Sequence, residues 1–258
     1  MIPKVIHFCW LSEDPIPESL QKCMLSWKKY LPDYQIIHWN FNRFDKDSSV
    51  WVKQAFENKK YAFAADYIRL YALYNYGGIY LDMDVEVLKT FNPFLVLNSI
   101  ICFESDSNKY PEVAAFGAEK ESPWVKECLD YYSSRHFIDK NGNFEMTPLP
   151  QVVKKILDNK GYKFVPSHNI NEALLVSGDK NISIFPSDFF SPKSYKTKLI
   201  SITKNTVSIH HFAGTWITKK KYELVEEKFW NLLGLTNYNI INKVIWLPTN
   251  IRRKFFEK

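Results

Sequence analysis

The sequence predicts an α/β protein: a mixed, mostly parallel sheet flanked by helices. Three observations carry this. Short apolar runs rich in strand formers alternate with stretches of about a dozen residues at helical spacing, the pattern of a sheet covered on both faces. The clearest helical stretch, Phe63 to Tyr74, is stopped by Gly77-Gly78 and followed at once by the apolar strand Ile79-Tyr80-Leu81-Asp82. Finally, 258 residues with 46% hydrophobic and 24% charged side chains can bury a large core and exclude disordered and fibrous classes.

The elements follow in chain order. Lys4-Val5-Ile6-His7-Phe8-Cys9-Trp10 reads as a buried first strand, and Leu11 to Pro17, with two prolines, as the loop at its C-terminal end. Ser19 to Tyr30 has helical spacing through Leu20, Met24 and Trp27, and Tyr34 to Trp39 returns to a strand, so the chain opens β-α-β. Phe63 to Tyr74 contains no Gly or Pro and sets Ile68, Tyr71 and Leu73 among good helix formers. Beyond Pro93, strands are expected at Ile100 to Phe103, Val113 to Phe116, Ile182 to Phe185 and Val207 to Phe212. Helices are expected at Trp124 to Tyr132, Leu149 to Leu157 and Lys220 to Leu233. No repeat, low-complexity tract or linker interrupts the chain, which is expected to form one domain over residues 1–242 with a basic amphipathic tail over 243–258.

Composition narrows the partners. Cys9, Cys23, Cys102 and Cys128 are irregularly spaced, with no C-x-x-C pair, and read as reduced thiols of a cytoplasmic protein. The first residues lack a basic n-region before an apolar stretch, and the longest nearly apolar run, Phe94 to Phe103, is broken by Asn98 and Ser99, so neither a secretory signal nor a spanning helix is expected. Of the net +6, the segment Lys219 to Lys258 carries +5, with nine Lys or Arg against four Glu. Its last part, KVIWLPTNIRRKFFEK, has the composition of a segment lying on anionic lipid and equally of a solvated extension. Nucleic acid is not an expected partner, because no recognition motif is present and the basic residues are not spread over a broad face.

The chemistry is concentrated in Ala64-Ala65-Asp66-Tyr67-Ile68-Arg69 and Gly77 to Glu86. Asp82 and Asp84 close an apolar strand, and two residues apart in extended chain would place both carboxylates on one face. Two such anions suit Mg²⁺ or Mn²⁺, which use one or two carboxylates and fill other positions with water and substrate phosphate; a solvated turn has the same spacing. Asp66 and Arg69 share a helix face, either as an ordinary surface pair or as groups binding ligand hydroxyls and anions. Later in the chain, Ser208 to Trp216 delivers His210 and His211 into a small-residue turn; a neutral imidazole can be a third ligand, and strand alternation lets at most one of the two reach a metal.

Three segments, IPKVIHFCW at 2–10, FAADYIRLYALYNYGGIYLDMDVEVL at 63–88 and IHHFAGTW at 209–216, resemble the bacterial sugar transferases of glycosyltransferase family 32, a group that also includes yeast-type mannosyltransferases. The likeness extends more distantly to the glucosyltransferase domains of large clostridial toxins. It implies a GT-A-type nucleotide-sugar-binding fold and transfer with retention of anomeric configuration. On this resemblance Asp82 and Asp84 would hold the metal and diphosphate, with His210 as the late metal ligand. Asp66 and Arg69 would hold the donor sugar, Trp10 would stack on the nucleobase, and Thr215 and Trp216 would lie near the β-phosphate. Asp66, Arg69 and Asp84 are the expected catalytic groups, and correspondence is loose between 105 and 205, where acceptor recognition is expected.

The expected activity is metal-dependent hexose transfer from a nucleotide sugar, with a UDP-sugar favoured, to a hydroxyl of a glycan or lipid-linked glycan in bacterial capsule or surface polysaccharide synthesis. The expected setting is the cytoplasm, with peripheral contact at the inner face of the membrane through the tail. An apolar strand followed by D-x-D-x-V also fits the nucleophile loop of haloacid-dehalogenase-like phosphatases, but the downstream Gly178-Asp179 is not followed by the acid such a site wants. A glycan-binding module would use the 16% aromatic content, yet has no need for Asp-x-Asp and a distant His to converge.

Overall fold

A computed structural model describes residues 1–105 and 109–214. The helix expected at 220–233, the tail from 243, and the candidates Thr215 and Trp216 lie outside the described residues. The chain opens with β1 (Val5–Cys9), α1 (Glu18–Tyr30), β2 (Gln35–Trp39), α2 (Val50–Glu57), α3 (Tyr61–Tyr76), β3 (Gly78–Leu81), β4 (Val85–Val87) and β5 (Ser99–Ile100). It continues with β6 (Ala115–Ala118), α4 (Pro123–Asp130), α5 (Leu149–Asn159), β7 (Lys163–Pro166), α6 (Ile170–Leu175), β8 (Asn181–Ile184) and β9 (Ser208–His210).

The central sheet has the order β2-β1-β3-β6-β5. β2, β1 and β3 are mutually parallel, β6 runs against β3, and β5 runs against β6, so four of the five strands point the same way. Two small pairs complete the sheet structure of the described residues: β4 antiparallel to β9, and β7 parallel to β8.

Side-chain alternation sorts the sheet into two buried faces. Ile6 and Phe8 of β1 with Ile79 and Leu81 of β3 pack in one core beside Leu20 and Trp27 of α1. Tyr80 and Phe116 face the other, beside residues of α2, α3, α4 and α5 such as Trp51, Ile68, Val125 and Val153. Both faces are therefore covered, as the strand and helix alternation requires.

The Gly77-Gly78 turn fixes how α3 feeds the sheet. Gly77 has φ +66° and Gly78 φ +112°, and a Cβ on either would stand 2.6 Å from backbone, at Lys120 N and Val5 O respectively. Only glycine lets α3 end this close to β1 and to the chain beyond β6. Four elements escaped the sequence pattern, among them the three-residue β4. α2 is only eight residues long and is capped by Ser49, whose side chain accepts from Val52 N. β7 and α6 are short and largely exposed, so they leave little apolar signature. The strand expected at Val113 to Phe116 lies two residues later, at Ala115–Ala118.

Candidate active site

The parallel register sets Ile6 beside Ile79 and His7 beside Tyr80, so Cys9 at the end of β1 lies level with Asp82 just past β3. Here the structure corrects one expectation. Asp82 and Asp84 do not continue an extended strand: the last sheet bond is Asp82 N to Ala114 O (2.7 Å), and Val85 N then bonds back to Asp82 O (2.9 Å), closing a turn. The chain turns there because β4 leaves the central sheet to pair with β9. Alternation along a strand is thus not what brings the two carboxylates together.

That pairing places Val85 opposite His210, and His211 N extends the ladder by donating to Asp84 O (3.0 Å). As a result Asp82, Asp84 and His210 each offer an atom within 4.8 Å of the others. His210 Nε2 stands 3.5 Å from Asp84 Oδ2, which also accepts from Ala213 N (2.7 Å). His211 points the other way, with Nε2 2.9 Å from Glu86 Oε2, so strand alternation separates the two imidazoles as expected.

Arg69 on α3 is nearly buried and braces the first carboxylate. Its guanidinium lies 3.3 Å from Asp66 and 3.4 Å from Asp82, donates to Val113 O (2.8 Å), and sits over the Tyr80 ring, 4.6 Å from the centroid. Tyr80 Oη in turn donates to Asp82 Oδ1 (3.1 Å). Arg69 Nε has no hydrogen-bond partner among the described residues.

The electrostatics separate the carboxylates. Burial pushes Asp66 up to about 7 against the opposing pull of Arg69, with Asp82 adding to the rise. Burial also raises Asp82, again opposed by Arg69 and aided by the like charge of Asp84. Asp84 moves down: burial raises it, but the charge and hydrogen bond of His210 outweigh that. Burial would lower His210, yet the charges of Asp84 and Glu112 hold it well above the ordinary histidine range.

Glu112 is the site residue that sequence reasoning missed. Oε1 accepts from Val113 N (3.0 Å) and Ala114 N (2.9 Å), while Oε2 accepts from Ser191 Oγ (2.8 Å) and faces His210 Nδ1 at 3.4 Å. Burial raises this carboxyl, but the charge of His210 and these bonds take it down to about 2. The available signal was a lone acid opening the apolar stretch Glu112-Val113-Ala114-Ala115-Phe116.

Trp10, expected on the nucleobase, is half-buried beyond β1; its Nε1 donates to Asp14 O (2.9 Å) and its backbone N to Trp39 O (3.2 Å). Next to it, His38 Nε2 lies 3.1 Å from Trp10 O, and His38, Asn40, Asn42 and Arg43 line a cavity of about 540 Å³. All four cysteines are free, and Cys23, Cys102 and Cys128 are buried. Among the described residues no helix is long and apolar enough to cross a membrane.

Two carboxylates and an imidazole within 4.8 Å form a donor set that fits a divalent cation such as Mn²⁺ or Mg²⁺. Three protein ligands leave coordination positions for diphosphate oxygens and water.

Among relatives, the mannosyl phosphorylinositol ceramide synthase SUR1 of Saccharomyces cerevisiae is 36% identical over 109 residues, covering 39% of this chain and 27% of that protein. Inositol phosphoceramide mannosyltransferase 1 of Schizosaccharomyces pombe is 28% identical over 146 residues, covering 53% of this chain and 45% of that protein. The chain thus spans less than half the length of either. These relatives are fungal and named for mannose transfer, so they lend no support to the bacterial, capsule part of the expectation. Among solved structures, the PaToxG glycosyltransferase matches 62% of this chain and 70% of its own at 20% identity and a TM-score of 0.49. Residues 17–105 match the model of a family described as a glycosyltransferase sugar-binding region containing a DXD motif, and Asp82-Met83-Asp84 lies within the matched stretch.

Proposed function

We propose that the protein transfers a sugar from a nucleoside diphosphate sugar to an acceptor hydroxyl, using a divalent cation held by Asp82, Asp84 and His210. The single observation that carries this is the convergence of the Asp-x-Asp with a histidine more than a hundred residues away. A structural turn has no need of that meeting. Breaking the anomeric C–O bond leaves negative charge on the diphosphate, and a bound divalent cation would neutralise it.

The chain's own residues do the rest. Arg69 and Tyr80 hold Asp82 in place by an ion pair and a hydrogen bond, which limits the reorganisation needed when donor arrives. Asp66, on the same helix, presents a carboxyl group that accepts from or donates to sugar hydroxyls. Trp10, beyond the C-terminal end of β1, offers an aromatic face for the base, as ligands of open α/β sheets sit beyond the carboxyl ends of strands. Thr215 and Trp216 would meet the β-phosphate. The acceptor is a glycan or lipid-linked hydroxyl. The fungal relatives' names make an inositol phosphoceramide the first acceptor to test and add mannosyl donors to the UDP-sugars favoured by resemblance.

Purified protein with Mn²⁺ and a panel of UDP- and GDP-sugars should release nucleoside diphosphate from one donor, and Asp84→Asn should abolish that release. Equal release from the variant, or no release and no metal-dependent nucleotide binding from the parent, overturns the reading.

A further inference from the structure

We infer that Glu112 is the positioning residue of the cation site, dictating which nitrogen of His210 is free to bind metal. The inference rests on the cation site proposed above and adds a residue that the DXD-matching region, ending at 105, does not contain.

A neutral imidazole has one N–H and one lone pair, and the partner of one nitrogen decides which is which. His210 Nδ1 faces Glu112 Oε2 at 3.4 Å, and Nε2 faces Asp84 at 3.5 Å. With a cation on Asp82 and Asp84, Glu112 is the carboxylate left to accept the imidazole N–H, so it holds that proton on Nδ1 and leaves the Nε2 lone pair facing the cation. Glu112 is itself held by three hydrogen bonds. Two backbone N–H groups fix Oε1, Ser191 Oγ fixes Oε2, and the side chain is 5% exposed.

The same three residues carry the rest of the site. Val113 O receives Arg69, and Ala114 O receives the backbone N of Asp82. One short segment, 112–114, therefore sets the position of all three features: the imidazole, the guanidinium and the first carboxylate.

Glu112→Gln tests this without removing volume. The amide has one acceptor oxygen, and Val113 N and Ala114 N both donate towards it; turning the amide round would set its NH₂ against both of them. The NH₂ is thus left facing His210 Nδ1. That favours the tautomer with its proton on Nε2, where it blocks the metal. Mn²⁺ affinity, read from the electron paramagnetic resonance of free Mn²⁺ during titration, should fall roughly 10- to 100-fold. The ¹⁴N modulation of the bound ion by His210 should disappear.

In a His210→Ala background, Glu112→Gln should have no further effect, since its action passes through that imidazole. Glu112→Asp, which keeps the charge but withdraws it, is carried through the same cycle should the Gln variant fail to fold, and should also weaken Mn²⁺ only when His210 is present. Parental Mn²⁺ affinity in the folded Glu112 variants, or equal losses with and without His210, overturns the role of Glu112 and leaves the cation site standing. A parent protein that takes no Mn²⁺, or a His210→Ala protein that binds it as well as the parent, overturns the cation site and this inference together.

Discussion

His7 shows how a residue from the first strand supports the site without entering it. It is fully buried; Trp39 Nε1 donates to its Nδ1 (3.0 Å), so the remaining Nε2 proton is donated to Gly77 O (2.8 Å). The ring ties β1 to β2 and to the turn that launches β3. Burial, with the nearby Arg43 adding to it, lowers its pKa from 6.5 to about 4 despite the bond to Gly77. The unfolded chain therefore binds this proton at higher pH than the folded one. Stability from His7 is full above 6.5 and is lost as pH falls towards 4. The full shift corresponds to about 3 kcal/mol. Urea unfolding between pH 7 and pH 4 should show a weaker acid dependence in His7→Gln than in the parent; parallel slopes would remove this account.

Among the elements, the α3-turn-β3 unit carries most of the site: Asp66 and Arg69 on the helix, Tyr80 on the strand and Asp82 just past it. Its geometry depends on Gly78, whose φ of +112° and 2.6 Å approach to Val5 O leave no room for a Cβ. Gly78→Ala should cost roughly 2 kcal/mol or more. It should also lower sugar-nucleotide cleavage, because β3 must shift against β1 and carry Asp82 with it. A variant as stable and as active as the parent would show that the close approach is relaxed at no cost.

This unit was the most legible part of the chain. A long helix without Gly or Pro, a Gly-Gly stop and an apolar strand are local signals, and local signals are what sequence shows. The same reasoning misjudged the Asp-x-Asp, because strand spacing cannot reveal that the sheet ladder ends at Ala114 and that the next residues turn away. α2, with a single good cap and eight residues, was too short for periodicity to register. Glu112 was hidden for a different reason: its partners Ser191 and His210 are 79 and 98 residues away, and nothing within its own segment announces them.

Over the whole molecule, the site lies on the seam between two sheets. The central sheet supplies Asp82 at the end of β3, and the small β4–β9 pair supplies His210, with Asp84 in the turn that joins them. Three ligands on both sides of a seam exist as a set only when the two sheets are docked, so a cation bound to them binds the folded chain and not the unfolded one. Linkage then requires Mn²⁺ to stabilise the fold by about 2.7 kcal/mol at a hundredfold excess over Kd. For a chain of this size that corresponds to a rise in Tm of roughly 5 to 10 °C. Asp84→Asn should abolish the rise, since it weakens the ligand between the two sheets. A Tm that ignores Mn²⁺ in a protein that demonstrably binds it would mean that the ligands gather without the seam, in which case the docking of β4 and β9 against the central sheet is not what builds the site.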